Sequence, residues 1–255
     1  MQNILSGKTI LIAGAGGIGN GLAIRYAAEG ANVVLGDLDL ATAQQAVEQI
    51  AAEGGKAIAT TLDGADERSI AAAVQLCLET YGGIDGLHCN FACMADGDPT
   101  VDILGLPLDI YDETMRVNAR GFYLCTRAVL PHLIARGGGS ILYTSSSGAN
   151  VGAPAYVSYA MSKSAGQALM RHVAVRFGAQ GIRANTLAPA LTLHSRIEHL
   201  VPPQMTDMAK AAAALKSRVG RPNDLAAMGA LLMSDDGSYI TGQVISIDGG
   251  TTMRP

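Results

Sequence analysis

A tyrosine and a lysine four residues apart, Tyr159 and Lys163, are the first candidates for chemistry in this sequence. They fall in a segment rich in small residues that is predicted to be helical, so both side chains leave one helical face, one turn apart. Tyrosine is a weak acid with a pKa of about 10, and it exchanges protons near neutrality only if its phenolate is stabilised. A neighbouring ammonium group lowers the tyrosine pKa. The pair is therefore a candidate proton-transfer site.

Three serines, 145–147, stand just before this helix. They follow an apolar run, residues 140–144, that predicts a strand, and a loop with Gly and Pro separates them from the helix. A hydroxyl at the end of a strand beside a Tyr–Lys pair suits binding of a carbonyl or hydroxyl oxygen, and we assign that role to Ser146. A Tyr–Lys pair at this spacing also occurs by chance, so the surrounding sequence has to support the assignment.

A glycine-rich turn near the N-terminus supplies that support. The apolar run at residues 9–13 is typical of a strand buried on both faces of a parallel sheet, and residues 20–29 have a helical pattern. Glycines between such a strand and helix turn the chain sharply, and the helix N-terminus offers free N–H groups to a pyrophosphate. An ordinary glycine-rich turn is the alternative. The sequence predicts a dinucleotide site at Gly14, Gly16, Gly17, Ile18 and Gly19.

A carboxylate follows the second apolar run, residues 32–35, at Asp37. About 20 residues beyond a glycine turn, such a carboxylate accepts hydrogen bonds from the adenosine ribose hydroxyls and repels a 2′-phosphate. Neither Leu38 nor residues 15–18 provide a cation for that phosphate. We therefore predict NAD as the cofactor, with Asp37 and Leu38 at the ribose. The alternative is that Asp37 is a plain loop residue before a helix capped by Asp39.

Alternating strand and helix patterns run through the rest of the chain. Further strands are predicted at 57–62, 84–90, 182–187 and 243–247, and helices at 40–53, 67–80, 111–136 and 222–233. This alternation indicates right-handed βαβ crossovers and a parallel sheet with helices on both faces. We predict an α/β fold of the Rossmann type, a doubly wound parallel sheet in one domain spanning 1–255. Residues 193–218, of mixed polarity, are predicted to be a flap over the site or a plain surface excursion.

Composition narrows the classes of function. The 255 residues are 49% hydrophobic with a formal net charge of −4, and no basic block is present, which argues against nucleic acid as a partner. The first residues have neither a signal-peptide nor a transit-peptide pattern, and no apolar run reaches membrane-spanning length. We expect a cytoplasmic protein without a membrane or metal partner. The four cysteines have no metal-binding spacing and are expected to be buried apolar residues: Cys77, Cys89, Cys93 and Cys125.

Several longer segments carry a family resemblance: AGAGGIG, HCNFA, VNARGFYLCTRAVLPHL, YTSSSG with YVSYAMSK, GIRANTLAP and YITGQVISIDGG. In these segments, in their order and in their spacing, the chain resembles the short-chain dehydrogenase/reductase family over nearly its whole length. The resemblance implies an NAD-dependent oxidoreductase that acts on a secondary alcohol or ketone and assembles as a homotetramer or dimer.

The resemblance also implies roles for individual residues. Asn118, Ser146, Tyr159 and Lys163 would form a catalytic tetrad. Tyr159 would be the general acid/base, and Lys163 would lower its pKa and bind the nicotinamide ribose. Ser146 would hold the substrate oxygen, and Asn118 would position a water in the proton relay. Further cofactor contacts would come from Asp63, Gly64, Asn90, Ala92, Pro189, Leu191 and Thr192.

Three departures from the family pattern affect the cofactor site. Ala13 replaces a threonine, and the glycine turn is one residue tighter. Phe91 and Ala92 follow Asn90 and are expected to add bulk beside the cofactor. The glycine after Pro189 is Ala190, and the threonine expected a few residues later falls at Thr192 or is replaced by His194.

The substrate is predicted to be a hydrophobic or ring-bearing alcohol or ketone, because the expected wall residues are mostly small or apolar. These are Met94, Ser146, Ser147, Tyr156, Tyr159 and Leu191. Asp96 and Asp98 either contact polar substituents of the substrate or are solvated loop residues. Two alternatives stay open: an NADP-dependent ketoreductase, and a non-catalytic NAD-binding regulator that keeps the fold.

Overall fold

The computed structural model describes residues 3–95, 100–152 and 155–253, so Asp96 and Asp98 lie outside the described residues. A seven-stranded sheet with the order β3-β2-β1-β4-β5-β6-β7 forms its centre, and each neighbouring pair of strands is parallel. The strands are β1 (Thr9–Ala13), β2 (Asn32–Asp37), β3 (Lys56–Thr61), β4 (Gly86–Cys89), β5 (Gly139–Thr144), β6 (Ile182–Pro189) and β7 (Val244–Ile247). The predicted Rossmann-type sheet is confirmed.

Helices cover both faces of the sheet. They are α1 (Gly17–Ala28), α2 (Leu40–Ala52), α3 (Glu67–Tyr81), α4 (Leu108–Thr114), α5 (Gly121–Ala135), α6 (Val157–Phe177), α7 (Pro203–Ala212) and α8 (Pro222–Met233). Apolar residues of α1, α2 and α8 form one core cluster, and those of α3, α5 and α6 form the other. Strand β1 serves both clusters: Ile10 and Ile12 belong to the first, Leu11 and Ala13 to the second. Its unbroken apolar sequence follows from this two-sided burial.

The long helix predicted at 111–136 is interrupted. Helix α4 begins at Leu108, and a π-helical segment, Met115–Arg120, connects it without a break to α5. A π-helical turn adds one residue to the helical ladder and is often found at functional sites. Asn118 is the buried residue of this segment. The asparagine in the middle of a helical pattern therefore marks a real irregularity of the backbone.

The residues predicted as a flap form an excursion whose two ends are tied together. The N–H of Leu193 donates to the Gly220 carbonyl, and the Gly220 N–H donates to the Leu191 carbonyl. Between these ends lies α7, which is partly or fully exposed along its length. The excursion starts at the carboxyl end of β6, the edge of the sheet where the candidate site lies.

The strand order changes direction at β1, which lies between β2 and β4. In open parallel sheets, the crevice at the carboxyl ends of two such strands is the usual place for a ligand. The glycine turn follows β1, and Asn90 follows β4 directly. Both therefore lie at this crevice.

Candidate active site

The glycine turn after β1 is held by backbone contacts that only glycine permits. Gly14 has a φ of 103°, and a Cβ there would lie 2.4 Å from the Phe91 nitrogen. A Cβ on Gly19 would lie 2.0 Å from the Gly14 oxygen. At Gly16, by contrast, a Cβ would meet no atom within 4 Å. The turn is thus closed against the sheet and open at Gly16, just before the N-terminus of α1.

Asp37 at the end of β2 is tied to this turn. One carboxylate oxygen accepts the N–H of Gly16 at 3.1 Å, and the other accepts the N–H of Asp39 at 3.0 Å. Asp39 caps α2 by accepting the Ala41 N–H at 3.2 Å, as the alternative interpretation expected. Asp37 is nevertheless more than a loop residue, because it fixes the opening of the glycine turn. Leu38 beside it is 71% exposed.

The segment after β4 forms the opposite wall of the crevice. The N–H groups of Asn90 and Phe91 both donate to the Ala13 carbonyl, at 2.8 and 2.9 Å, and the Asn90 side chain donates to the Gly14 carbonyl at 2.9 Å. Ala92 follows and is exposed. These bonds attach the segment to the start of the glycine turn.

The bulk of Phe91 is taken up by two glycines of neighbouring elements. A Cβ on Gly64 would lie 2.5 Å from the Phe91 ring, and one on Gly121 would lie 2.8 Å from it. The ring also meets Phe122 edge-on, with 5.2 Å between centroids. The ring of Phe91, which is expected to add bulk beside the cofactor, packs against the core. Asp63, before Gly64, accepts the Ala65 N–H at 2.8 Å.

Lys163 is 1% exposed, yet its ammonium group has several partners. The Nζ atom donates to the Thr144 carbonyl at 2.9 Å and to the Phe91 carbonyl at 3.5 Å. It lies 5.6 Å from the Tyr159 ring centroid and 4.8 Å from the Phe122 ring centroid. Burial lowers the pKa of Lys163 to about 7, and the nearby Cys89 opposes this in part. The lysine therefore lies beside Tyr159, and its amine gains or loses its proton near neutral pH.

Ser146 follows β5 and heads the short 3₁₀ turn Ser147–Ala149. Its Oγ accepts the Gly148 N–H at 3.1 Å, which leaves the hydroxyl proton available for a further acceptor. The preceding Ser145 donates to the Lys163 carbonyl at 3.3 Å and so ties this strand end to α6. The structure thus brings the end of β5 and the Tyr–Lys helix together.

Tyr156 immediately precedes α6 and has left-handed backbone angles, φ 60° and ψ 44°. Such a conformation is rare for residues other than glycine and often accompanies functional sites. The strained residue lies three positions before Tyr159. Met94, on the loop after β4, is 51% exposed.

Asn118 connects the loop after β4 to α6. Its amide nitrogen donates to the Cys93 carbonyl at 2.8 Å and to Ser162 Oγ at 3.0 Å, and its Oδ1 accepts the Cys93 N–H at 2.6 Å. Ser162 immediately precedes Lys163 on α6. The buried asparagine therefore holds two walls of the site in place. Its role toward a water stays a prediction.

The segment after β6 carries both alternatives for the missing threonine, Thr192 and His194. Pro189 ends β6, and Thr192 is buried with its hydroxyl donating to the Ala190 carbonyl at 3.1 Å. The His194 ring instead lies against the glycine turn, since a Cβ on Gly17 would lie 2.0 Å from it. His194 Nδ1 is buried without a partner, and burial and Arg196 lower the pKa of the imidazole. Of the two residues, His194 has its ring against the glycine turn.

One charged contact at this crevice has no local signal in the sequence. Arg196 Nη1 donates to Thr42 Oγ1 at 3.1 Å, across 154 residues of chain. Thr42 belongs to the first turn of α2 and donates to the Asp39 carboxylate at 2.8 Å. A guanidinium therefore lies near the end of β2, where no neighbouring residue in sequence supplies a cation.

A cavity of about 580 Å³ lies between α7 and the end of β7. Leu191, Ala209, Leu215 and Ile247 are among its walls, whereas Tyr159 and Lys163 are not. Tyr159 and Lys163 thus lie apart from this cavity, and Leu191 is one of its wall residues. Three of the four cysteines are buried, but Cys93 is half-buried, which corrects the expectation that all four are core residues.

Within residues 3–95, 100–152 and 155–253, no group of three or more His, Cys, Asp or Glu side chains is arranged to hold a metal ion. None of the helices in the same ranges combines the length and the hydrophobicity needed to cross a bilayer.

The residues at the crevice fit a dinucleotide. The N–H groups at the start of α1, the open position at Gly16 and the orphaned His194 Nδ1 surround the place where a pyrophosphate would bind. Asp37 provides carboxylate oxygens at the ribose end, and Tyr159 and Lys163 stand at the other. These groups suit a dinucleotide, which has an anionic pyrophosphate at its centre and a polar group at each end.

The comparisons with known proteins agree with this geometry. Residues 12–252 match a family model described as enoyl-(acyl carrier protein) reductase. A probable short-chain type dehydrogenase/reductase of Bradyrhizobium diazoefficiens is 41% identical over 245 residues, covering 96% of this chain and 87% of the relative. The chain belongs to the short-chain dehydrogenase/reductase family.

Two further members of this family show the range of similar proteins. An L-rhamnose 1-dehydrogenase (NAD(P)(+)) of a Sphingomonas species is 34% identical, with 98% of each chain covered. The solved structure of a 7α-hydroxysteroid dehydrogenase in complex with NADH and 7-oxo glycochenodeoxycholic acid superposes with a TM-score of 0.90. It is 29% identical and covers 98% of this chain and 96% of its own. The chain is thus an oxidoreductase of the short-chain dehydrogenase/reductase family.

Proposed function

We propose that this protein is an NAD-dependent dehydrogenase that interconverts a secondary alcohol and a ketone. The observation that carries the proposal is the position of Lys163 Nζ, 5.6 Å from the Tyr159 ring centroid and bound to the Thr144 carbonyl at the carboxyl edge of the sheet. A buried lysine beside a tyrosine, next to a turn suited to a dinucleotide, is an arrangement for proton exchange coupled to hydride transfer.

The side chains have separate tasks in this reaction. When bound, the nicotinamide supplies the hydride acceptor at its C4. Tyr159, as the phenolate, takes the hydroxyl proton of the alcohol while the C–H electron pair leaves as hydride, so that the C=O bond forms. Lys163 stabilises the phenolate by its charge. Ser146 donates a hydrogen bond from its free hydroxyl to the substrate oxygen. In ketone reduction the same groups act in reverse.

Asn118 supports this chemistry by holding the loop after β4 against Ser162, the residue next to Lys163. We propose that its main-chain or side-chain groups also position a water for the proton relay, as the family resemblance implies. The cofactor cleft is proposed to be lined by the residues of the glycine turn together with seven others: Asp63, Gly64, Asn90, Ala92, Pro189, Leu191 and Thr192.

NAD is favoured over NADP by Asp37. Its carboxylate already accepts the Gly16 N–H, so its negative charge lies at the opening of the glycine turn, where a 2′-phosphate would be repelled. Leu38 next to it is exposed and uncharged. The solved relative in complex with NADH is consistent with this preference.

An NADP-dependent reductase is the second candidate, and Arg196 is the observation that favours it. Its guanidinium binds Thr42 in the first turn of α2, on the side of the crevice where the adenosine ribose would lie. The Sphingomonas relative is named for both cofactors. If this candidate is right, Arg196→Gln weakens NADPH binding about 10-fold and leaves NADH binding unchanged, because only NADPH carries the 2′-phosphate. Equal effects on both nucleotides would contradict a role in NADP recognition.

The substrate is proposed to be hydrophobic or ring-bearing. Met94, on the loop after β4, is half-exposed, and the flap carries the exposed side chains of Leu200, Met205 and Met208. Leu191 lines the cavity beside α7. Apolar walls of this kind fit a ring system better than a polar chain. Ser147 and Tyr156 are proposed as further wall residues. The steroid ketone bound by the solved relative is consistent with this class.

A substrate panel tests the proposal. Aliphatic, aryl, steroid, cyclic-diol and sugar-derived secondary alcohols are incubated with NAD and separately with NADP, and the absorbance of the reduced nicotinamide is followed. We expect turnover with NAD and one hydrophobic or ring-bearing class. Silence across the panel, with NADH bound tightly, would favour the non-catalytic regulator. We further propose that the protein is cytoplasmic and that it assembles as a homotetramer or dimer. Light scattering on the purified protein measures the mass of the assembly.

A further inference from the structure

A chain of hydrogen-bonded side chains crosses the sheet beneath the crevice. Tyr26 on α1 binds His88 Nδ1 on β4 at 2.9 Å, and His88 Nε2 binds Thr144 Oγ1 on β5 at 3.0 Å. Thr144 Oγ1 donates to Asn90 Oδ1 at 2.9 Å, and Asn90 Nδ2 donates to the Gly14 carbonyl at 2.9 Å. Tyr26 and His88 are fully buried, and Thr144 is almost so.

The hydrogen bonds of this chain run in one direction. Asn90 uses its N–H on Gly14, so its oxygen is the acceptor for Thr144. Because the Thr144 hydroxyl has then used its proton, His88 Nε2 must carry the proton that it shares with Thr144. His88 Nδ1 is left as the acceptor for the Tyr26 hydroxyl. Burial lowers the pKa of His88 to about 3, so the imidazole is neutral and keeps one fixed tautomer.

Thr144 also joins this chain to the proton-transfer pair. Its hydroxyl holds Asn90, and its carbonyl accepts from Lys163 Nζ at 2.9 Å. Thr144, at the end of β5, thus orients Asn90, which supports the glycine turn, and also holds the buried Lys163. We infer that Thr144 and His88 are positioning residues, which set affinity for the cofactor by fixing the Asn90 amide and, through it, the Gly14 carbonyl. This inference rests on the proposed function, because it takes the glycine turn to be the cofactor site.

A purely structural role would predict a different outcome from a positioning role. Removing the Thr144 hydroxyl leaves the His88 donor and the Asn90 acceptor unsatisfied in the interior, and the Asn90 amide is then free to rotate away from Gly14. If the hydroxyl only stabilised the fold, the loss would lower stability and leave cofactor affinity unchanged. If the hydroxyl positions Asn90, its loss lowers the affinity for the cofactor by more than the loss of stability accounts for.

The experiment compares four variants with the wild type. Thr144→Val is isosteric and removes the hydroxyl, whereas Thr144→Ser keeps it. Thr126→Val is the matched control, since Thr126 is equally buried and its hydroxyl binds Tyr143 and the Phe122 carbonyl, away from the glycine turn. The fourth variant, His88→Gln, keeps a donor for Thr144 and an acceptor for Tyr26 on one side chain. The Kd for NADH is measured by nucleotide fluorescence and stability by urea unfolding.

We expect Thr144→Val to raise the Kd for NADH about 10-fold, and Thr144→Ser and His88→Gln to stay within about 3-fold of the wild type. Thr126→Val lowers stability without changing the Kd. Equal Kd values for Thr144→Val and Thr126→Val would overturn the inference and leave the proposed function standing. Failure of the wild type to bind either NADH or NADPH would overturn both. If Thr144→Val does not fold, His88→Leu takes its place, with a raised Kd supporting the inference and an unchanged Kd overturning it.

Discussion

The main-chain N–H of Gly16 donates to the carboxylate of Asp37 at 3.1 Å, which joins the cofactor turn after β1 to the end of β2. One side chain thereby has two tasks: it anchors the turn, and it places a negative charge where an adenosine ribose would lie. The two tasks can be separated by substitution, because an amide keeps the acceptor and loses the charge.

The first prediction concerns Asp37. Asp37→Asn retains an oxygen for the Gly16 N–H, and removal of the charge should strengthen NADPH binding about 10-fold while NADH binding falls only slightly. Asp37→Ala also loses the anchor, so it should weaken NADH binding further. Titrations of both nucleotides with both variants check this. An unchanged ratio of the two Kd values in Asp37→Asn would show that Asp37 does not select the cofactor.

The second prediction is a dependence of stability on pH that comes from Lys163. Its pKa is about 7 in the folded protein, below the usual value of about 10.4 in an unfolded chain. Between these values the unfolded state holds one proton more than the folded state, so stability rises with pH. The slope from this group approaches ~1.4 kcal/mol per pH unit toward the middle of that window.

Urea unfolding at pH 7.0 and 8.3 measures this slope, with Lys163→Met as the reference that lacks the group. The upper limit matters, because burial raises the pKa of Cys77 to about 12 and gives a slope of opposite sign once thiols ionise in the unfolded chain. We expect the wild type to gain stability relative to Lys163→Met over this interval. An equal change in unfolding free energy for the two proteins would mean that burial does not shift the pKa of Lys163.

The third prediction concerns the fit of Phe91 to Gly64. Gly64→Ala places a methyl group 2.5 Å from the Phe91 ring, so it should destabilise the protein by about 1–3 kcal/mol. In a Phe91→Ala background the same substitution should cost much less, since the clashing ring is gone. Unfolding free energies of the two single variants and the double variant form the cycle that measures the coupling. Additive effects would contradict a direct fit between the two residues.

The sequence predicted those features that depend on local spacing. The glycine turn, the Tyr159–Lys163 pair and the strand–helix alternation each lie in one short stretch, and their periodicity or spacing defines them. The sequence predicted a helix at 111–136 and did not predict its π-helical interruption at Met115–Arg120, where Asn118 lies. Helix α1 begins at Gly17, before the predicted residue 20, since two of the turn glycines continue into the helix.

Contacts between distant stretches were beyond the sequence. The packing of Phe91 on Gly64, the reach of Arg196 to Thr42 and the chain from Tyr26 to Asn90 join residues on separate elements, and no periodicity marks such pairs. His88 in particular is indistinguishable in sequence from any polar residue in a strand. Only its burial and its two partners identify it.

The central claim, hydride transfer with Tyr159 as the acid/base, is tested most directly with an alcohol deuterated at the carbinol carbon, chosen from the class that the panel identifies. Mass spectrometry of the reduced nicotinamide and the rate of its formation are compared between the wild type and Tyr159→Phe, with NADH affinity measured for both. We expect deuterium in the nicotinamide ring with the wild type. In Tyr159→Phe we expect a rate lower by about 10²–10⁴-fold, with a Kd for NADH within about 3-fold. A reduced nicotinamide without deuterium, or a variant as fast as the wild type, would contradict the account.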